Sequence, residues 1–176
     1  MNWYNPREPG NVVGKFGHPY YWWQAGAAWG IMVDYWYLTG DSQYNELVTE
    51  TILLQTGPKN DFIPTTEIMT EGNDDQAFWA LTSAAAYERK FPDPPSGRRQ
   101  WLGLTQAVFN SQAARWHMDH CGGGLRWQIY SWTSGWTYKN TVSMGCFFQI
   151  AARLAMYTGN QTCLTGRIES GIRWRT

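Results

Sequence analysis

The chain has 176 residues, 43% of them hydrophobic and 16% aromatic, with Lys+Arg and Asp+Glu at 14 each and no formal net charge. That length and apolar content fit one domain with a core, and the charge balance argues against a nucleic-acid binder, which carries a basic excess. No apolar run reaches the ~18 residues of a membrane span, no basic start followed by an apolar stretch marks a signal peptide, and Cys121, Cys146 and Cys163 match no zinc-ligand spacing, so neither a metal nor another cofactor is expected.

Residues 1–19 hold Pro6, Pro9, Gly10, Gly14, Gly17 and Pro19 and read as an extended arm. From Tyr20 to Leu38 small residues (Ala25, Gly26, Ala27, Ala28, Gly30) interleave with Trp22, Trp23, Trp29, Tyr35 and Trp36, the profile of a helix buried all round. Thr39-Gly40-Asp41 punctuates, with Gly40 as a left-handed cap and Asp41 as the next N-cap. Ser42 to Thr56 is amphipathic and reads as an outer helix, stopped by Gly57-Pro58. A third helix is expected over Gly72–Lys90 and a fourth over Arg98–Trp116, separated by Pro92, Pro94 and Pro95. The glycine triplet 122–124, the alternating Leu125–Tyr130 and the Ser134-Gly135 pair predict a β-hairpin loop near residues 122–138. A fifth helix spans Asn140–Tyr157 and ends in Thr158-Gly159-Asn160, which repeats the first ending.

Inner helix, tight turn and outer helix thus recur as a unit, and the expected fold class is all-α: an incomplete (α/α)6 toroid of about five to six helices. Closing such a ring takes about six hairpins if each holds two helices of the usual ~12–18 residues. The chain supplies about two and a half. Half a ring leaves the apolar faces of its inner helices open on one side, beyond the few hundred Å2 of patch that a soluble monomer exposes.

The chemistry centres on Glu71-Gly72-Asn73-Asp74-Asp75-Gln76-Ala77, which puts adjacent carboxylates at a helix start, directly before Phe78 and Trp79. Adjacent helical residues point about 100° apart, so Asp74 and Asp75 do not share a face but can flank a ligand lying across the helix end. Glycoside hydrolysis needs two carboxyl groups with different jobs, one ionised and one protonated. A sugar also needs aromatic faces, and the chain has 12 Trp, 10 Tyr and 7 Phe. The competing reading is that Asn73 or Asp74 simply caps the helix.

Five blocks together resemble fungal members of glycoside hydrolase family 76, the endo-α-1,6-mannanases and their cell-wall relatives of the Dfg5/Dcw1 type. They are Pro19-Tyr20-Tyr21-Trp22-Trp23, Tyr35-Trp36 with Thr39-Gly40-Asp41, Thr70 to Gln76, Cys121 to Gln128, and Gly145-Cys146-Phe147-Phe148. The resemblance implies an (α/α)6 toroid that cleaves α-1,6-mannosidic bonds with retention, with Asp74 as nucleophile and Asp75 as general acid/base. It adds substrate-binding candidates at Trp22, Trp23, Asn73, Gln76, Trp79, Trp127 and Gln128, although core packing competes for Trp22, Trp23 and Trp79, and anchoring of the hairpin competes equally for Trp127. Gln24 stands where the family often has an acidic residue.

The implied partner is α-1,6-mannan or another mannosylated glycan, including a GPI-linked one, and the implied location is the secretory pathway, cell surface or exterior. A Cys121–Cys146 disulfide suits such a compartment, with two free buried thiols as the alternative. Asn160-Gln161-Thr162 is a glycosylation sequon. The division expected is an arm over 1–19, half of a glycosidase domain over 20–162, and an aberrant tail over 163–176. That tail lacks a sustained apolar face, and codons allowed for Cys163 through Trp174, read two bases later, can spell an outer-helix sequence.

Overall fold

The computed structural model describes Tyr4 and residues 10–159. Asn160, Cys163 and the 163–176 tail, with the sequon and the reading-frame expectation, lie outside the described residues. Five helices form: α1 (Trp22–Thr39), α2 (Asn45–Leu54), α3 (Asn73–Glu88), α4 (Trp101–Ala113) and α5 (Thr141–Thr158). The two repeated endings close alike. Gly40 and Gly159 are both left-handed, at φ 72° and 67°, and return their N–H groups to Trp36 and Ala155 carbonyls at 2.8 and 3.0 Å. Asp41 does not cap α2, which begins four residues later. Its Oδ1 instead accepts the Gln43 N–H at 3.0 Å, making a local turn ahead of the helix.

Helix α3 is the axis of the assembly. Trp22 and Trp23 of α1 lie on Trp79 and Phe78, Gly30 meets Thr82, and Asp34 pairs with Arg89, so α1 and α3 run parallel. Asn140 reaches Asp74 at one end of α5 and Tyr157 meets Tyr87 at the other, so α5 runs the same way. Helix α4 is antiparallel to α3, its Trp101 and Thr105 meeting Ser83 while Gln112 and Arg115 meet Gln76. Helix α2 backs α1, with Gln55 on Trp22 and Tyr44 near Tyr35. Three parallel inner helices with antiparallel outer ones are therefore present, and the N-termini of α3 and α5 meet at one end.

The small residues of α1 are there for contact. A Cβ on Gly30 would stand 2.7 Å from Thr82 Oγ1, and the Thr82 hydroxyl donates to the Gly26 carbonyl at 2.6 Å. The arm folds back on this helix pair: Trp29 Nε1 donates to the Gly14 carbonyl at 3.0 Å, and Tyr4 packs edge-on to Trp29.

Two expectations are corrected. The hairpin near 122–138 does not form, and no strand occurs among the described residues. Leu125–Tyr130 keeps a bond to the following chain, from the Trp127 N–H to the Tyr138 carbonyl at 2.6 Å, and finds its other partners elsewhere. Gln128 bridges Gly72, the Asn73 N–H donates to the Trp127 carbonyl at 2.8 Å, and the Ile129 N–H donates to the Glu71 carbonyl at 3.3 Å. Tyr130–Trp136 is folded into successive turns and does not return as a strand. Nor is α1 buried all round. Ile31, Tyr35 and Leu38, spaced i, i+4, i+7 along one face, are exposed, as are Val142, Phe148 and Met156 on α5. Among the described residues, both rows belong to inner helices that have another inner helix, α3, on one side only. We expect the purified chain to self-associate reversibly through them, and Leu38→Lys with Met156→Lys to shift it towards monomer in sedimentation. A wild-type chain that stays monomeric at high concentration would contradict this.

Candidate active site

Both carboxylates sit in the first turn of α3, where free N–H groups and the helix dipole favour negative charge. Gly72 is the N-cap. The residue that bonds back to it is Asp75 at the third helical position, whose Oδ2 accepts the Gly72 N–H at 2.6 Å. Neither Asn73 nor Asp74 plays that capping part. In α1 the same position is held by Gln24, whose Oε1 accepts the Tyr21 N–H at 2.7 Å, so the departure noted there is absorbed in starting the helix.

Asp74 Oδ1 accepts the Asp75 N–H at 3.1 Å and its Oδ2 accepts the Asn140 amide at 3.3 Å, with the Trp127 side chain as a further partner. Burial raises its pKa, and those donors oppose the rise. Asp75 is pushed further, to about 7, chiefly by burial; the Gly72 N–H opposes this while Asp74 and Glu67 add to it. The two groups thus differ in acidity at neutral pH. They are also close. A Cβ on Gly72 would lie less than 3.0 Å from both Asp74 Oδ1 and Asp75 Oδ2, so these oxygens are under about 6 Å apart, short of the ~6.5 Å at which inverting pairs begin.

Beneath the pair lies a polar floor. Arg115 donates to Asn73 Oδ1 from Nε at 3.0 Å and from Nη2 at 2.8 Å, to Gln76 Oε1, and to Ser111 Oγ at 2.7 Å. Gln112 Nε2 donates to the Asn73 carbonyl at 2.7 Å, and Gln76 Nε2 to the Asp61 carbonyl at 2.6 Å. Glu71 is 1% exposed and neither of its carboxyl oxygens has a hydrogen-bond partner. Burial drives its pKa well above the usual carboxylate range, against the pull of Arg115. The same desolvation lowers Arg115 to about 10, which leaves it charged at neutral pH.

The candidates from sequence separate into two groups. Asp74, Asp75 and Trp127 come together at the surface, Trp127 being 36% exposed. Trp23 is half-buried on Phe78, one residue from the Trp22–Trp79 stack. The others are buried. Asn73 and Gln76 are 1% and 0% exposed and are consumed by Arg115 and Gln112, so they shape the site from below and do not face a ligand. Trp22 and Trp79 are core, stacked at 5.3 Å, with Trp22 Nε1 donating to Gln55 Oε1 at 2.8 Å. Gln128 is buried behind the bridge to Gly72.

Of the two states open to the cysteines, Cys121 and Cys146 are both free thiols in this structure. Cys121 occupies an exposed left-handed turn (φ 57°), whereas Cys146 turns into α5's packed side, where burial and the nearby Asp74 charge push its thiol up to about 11. Sequence reasoning missed Asn140 and Arg115, and gave Glu71 and Gly72 no role of their own although both lie in the stretch it centred on. Asn140 had a signal, an Asn directly before a helix, and it does cap α5 by accepting the Ser143 N–H at 2.9 Å. Arg115 had none, because its partners lie some forty residues away.

Two close carboxyl groups of unequal acidity, in the first turn of one inner helix beside a partly exposed tryptophan, match what glycoside hydrolysis by a carboxylate pair requires. The chain belongs to glycosyl hydrolase family 76, whose model matches residues 1–175. It is 57% identical over 162 residues to mannan endo-1,6-alpha-mannosidase DCW1 of Candida glabrata and 55% identical over 162 residues to DCW1 of Saccharomyces cerevisiae. In each case 92% of this chain matches 36% of the relative. The crystal structure of Dfg5 from Chaetomium thermophilum in complex with glucosamine superposes with a TM-score of 0.88 at 44% identity, covering 93% of this chain and 42% of that one. The all-α arc is accordingly part of an (α/α)6 toroid, and the chain spans about a third of the length of these curated relatives.

Proposed function

We propose that this chain carries the catalytic pair of a retaining endo-α-1,6-mannosidase, with Asp74 as nucleophile and Asp75 as general acid/base. The observation that carries the reading is the split in acidity within one helical turn. Asp75, held near 7, retains a proton to give to the leaving oxygen, while Asp74 keeps the donors of Asp75, Asn140 and Trp127, which favour the ionised, attacking form. Attack by Asp74 on the anomeric carbon displaces the glycosidic oxygen as Asp75 protonates it. Asp75, then ionised, takes the proton from water or a sugar hydroxyl, so hydrolysis and transglycosylation share one intermediate.

Trp127, beside Asp74, is the natural floor for the sugar ring at the point of cleavage. The substrate class proposed is α-1,6-linked mannan or a mannosylated glycan such as a GPI-linked one, and the compartment is the secretory pathway or cell surface. NMR of the first products from an α-1,6-mannooligosaccharide is the test. We expect the α-anomer to appear first, and initial release of the β-anomer would overturn the reading.

A second reading, glycan binding without turnover, is favoured by the exposed Trp132, stacked on Tyr130 at 4.6 Å. Saturable mannan binding that persists unchanged in Asp74→Asn, with no product formed, would support it.

A further inference from the structure

Gly72 has no backbone reason to be glycine. Its φ of −97° and ψ of 164° are extended values that any residue adopts. Space is the reason. A Cβ built there would stand 2.8 Å from Asp75 Oδ2, closer still to Asp74 Oδ1, and 3.0 Å from the Trp127 carbonyl oxygen. The first two neighbours are the ends of the two working side chains. The third belongs to the segment that is stitched to the helix start by the Asn73 N–H at 2.8 Å and cannot easily retreat. The Gly72 N–H is at the same time a donor to Asp75 Oδ2 at 2.6 Å. One residue therefore supplies both the gap into which the two carboxylates converge and the donor that holds one of them there.

We propose that Gly72 is a positioning residue that sets the separation of Asp74 and Asp75 by leaving vacant the volume a side chain would occupy between them. The proposal rests on the reading of those two residues as the working pair. A methyl group at this position pushes the carboxylates apart and turns Asp75 away from the Gly72 N–H, while the helix start remains allowed. The effect is on spacing: a retaining pair at ~5–5.5 Å gives a direct attack, and a wider pair does not.

The test needs no turnover. In the chain labelled with 13C at the Asp carboxyl carbons, the titration of Asp75 is followed with and without Asp74→Asn, first with Gly72 and then with Gly72→Ala. Glu67 and Glu71 also face Asp75 and are the same in all four proteins. We expect Asp74→Asn to lower the Asp75 midpoint by about one pH unit with glycine present, the scale of a close like-charge pair. With alanine the shift falls to less than half. An equal shift in both backgrounds would overturn the proposal.

Thermal midpoints provide a second measurement should the alanine variant be destabilised. Asp74→Ala is expected to restore at least half of the loss caused by Gly72→Ala, because it removes the nearest obstacle. No restoration would mean that the clash is with the backbone and that the glycine is merely structural. Undiminished mannan turnover in Asp74→Asn would sink the assignment of roles separately, whatever the titrations give.

Discussion

Asp75→Asn is expected to lower turnover of α-1,6-mannan by about 10²–10⁴-fold, the range that general acid–base catalysis supplies, and Asp74→Asn by at least as much. The two are distinguishable by pH. In the proposed roles Asp74 acts ionised and Asp75 protonated, so the rate should fall on the alkaline side near pH 7, where Asp75 loses its proton, and on the acid side above the ordinary aspartate range, where Asp74 gains one. In Asp75→Asn the alkaline limb should vanish from the residual activity. An alkaline limb that survives unchanged would assign the acid role elsewhere.

Stability supplies an independent check on the same group. The folded pKa of Asp75 lies above its unfolded value of 3.8, so the native state binds more protons than the unfolded one between about pH 4 and 7. Its contribution therefore favours the native state at the acid end of that window and is lost as pH rises through 7. An amide at this position cannot ionise and can still accept from Gly72. We expect Asp75→Asn to melt at or above the wild-type temperature at pH 8, and a lower midpoint there would contradict the desolvation account.

The largest stability effect is expected from Arg115→Leu, at about 3 kcal/mol measured by urea unfolding, the lower end of the cost of breaking a buried ionic cluster. The substitution strands Asn73 Oδ1, leaves Gln76 Oε1 with Gln112 alone and Ser111 Oγ with Asp61 alone, and removes the one positive neighbour of Glu71 named above. Arg115→Lys should recover only part of the loss, because a single ammonium does not reproduce the forked contact with Asn73 and Gln76. Since Asn73 is adjacent to Asp74, the leucine variant should also lose activity before it unfolds. Full activity with a loss below about 1 kcal/mol would mean that the floor is dispensable.

The helices, their order and the inner–outer alternation were legible in the sequence because local rules decide them. Gly40 and Gly159 end α1 and α5 as their repeated contexts announce, and prolines separate α3 from α4. The carboxylate pair was equally visible, since Asp74 and Asp75 are adjacent and stand where a helix begins.

What the sequence could not determine is which groups lie next to one another when their separation along the chain is large. Leu125–Tyr130 alternates as a strand does, yet apart from one bond to Tyr138 its partner is Glu71–Asn73, because backbone groups pair with whatever the packed helices bring opposite them. Asn73 and Gln76 look from sequence like ligands for a sugar, and are instead claimed by Gln112 of α4 and by Arg115 just beyond its end. The unequal acidity of Asp74 and Asp75 depends on burial and on Asn140, Glu67 and Trp127, all supplied by other segments. Local chain chemistry by itself determined where the helices start and stop and which two carboxylates share a turn. Tertiary packing alone decided how far apart those carboxylates stand and which of them keeps its proton, because separation and desolvation are properties of the groups assembled around them.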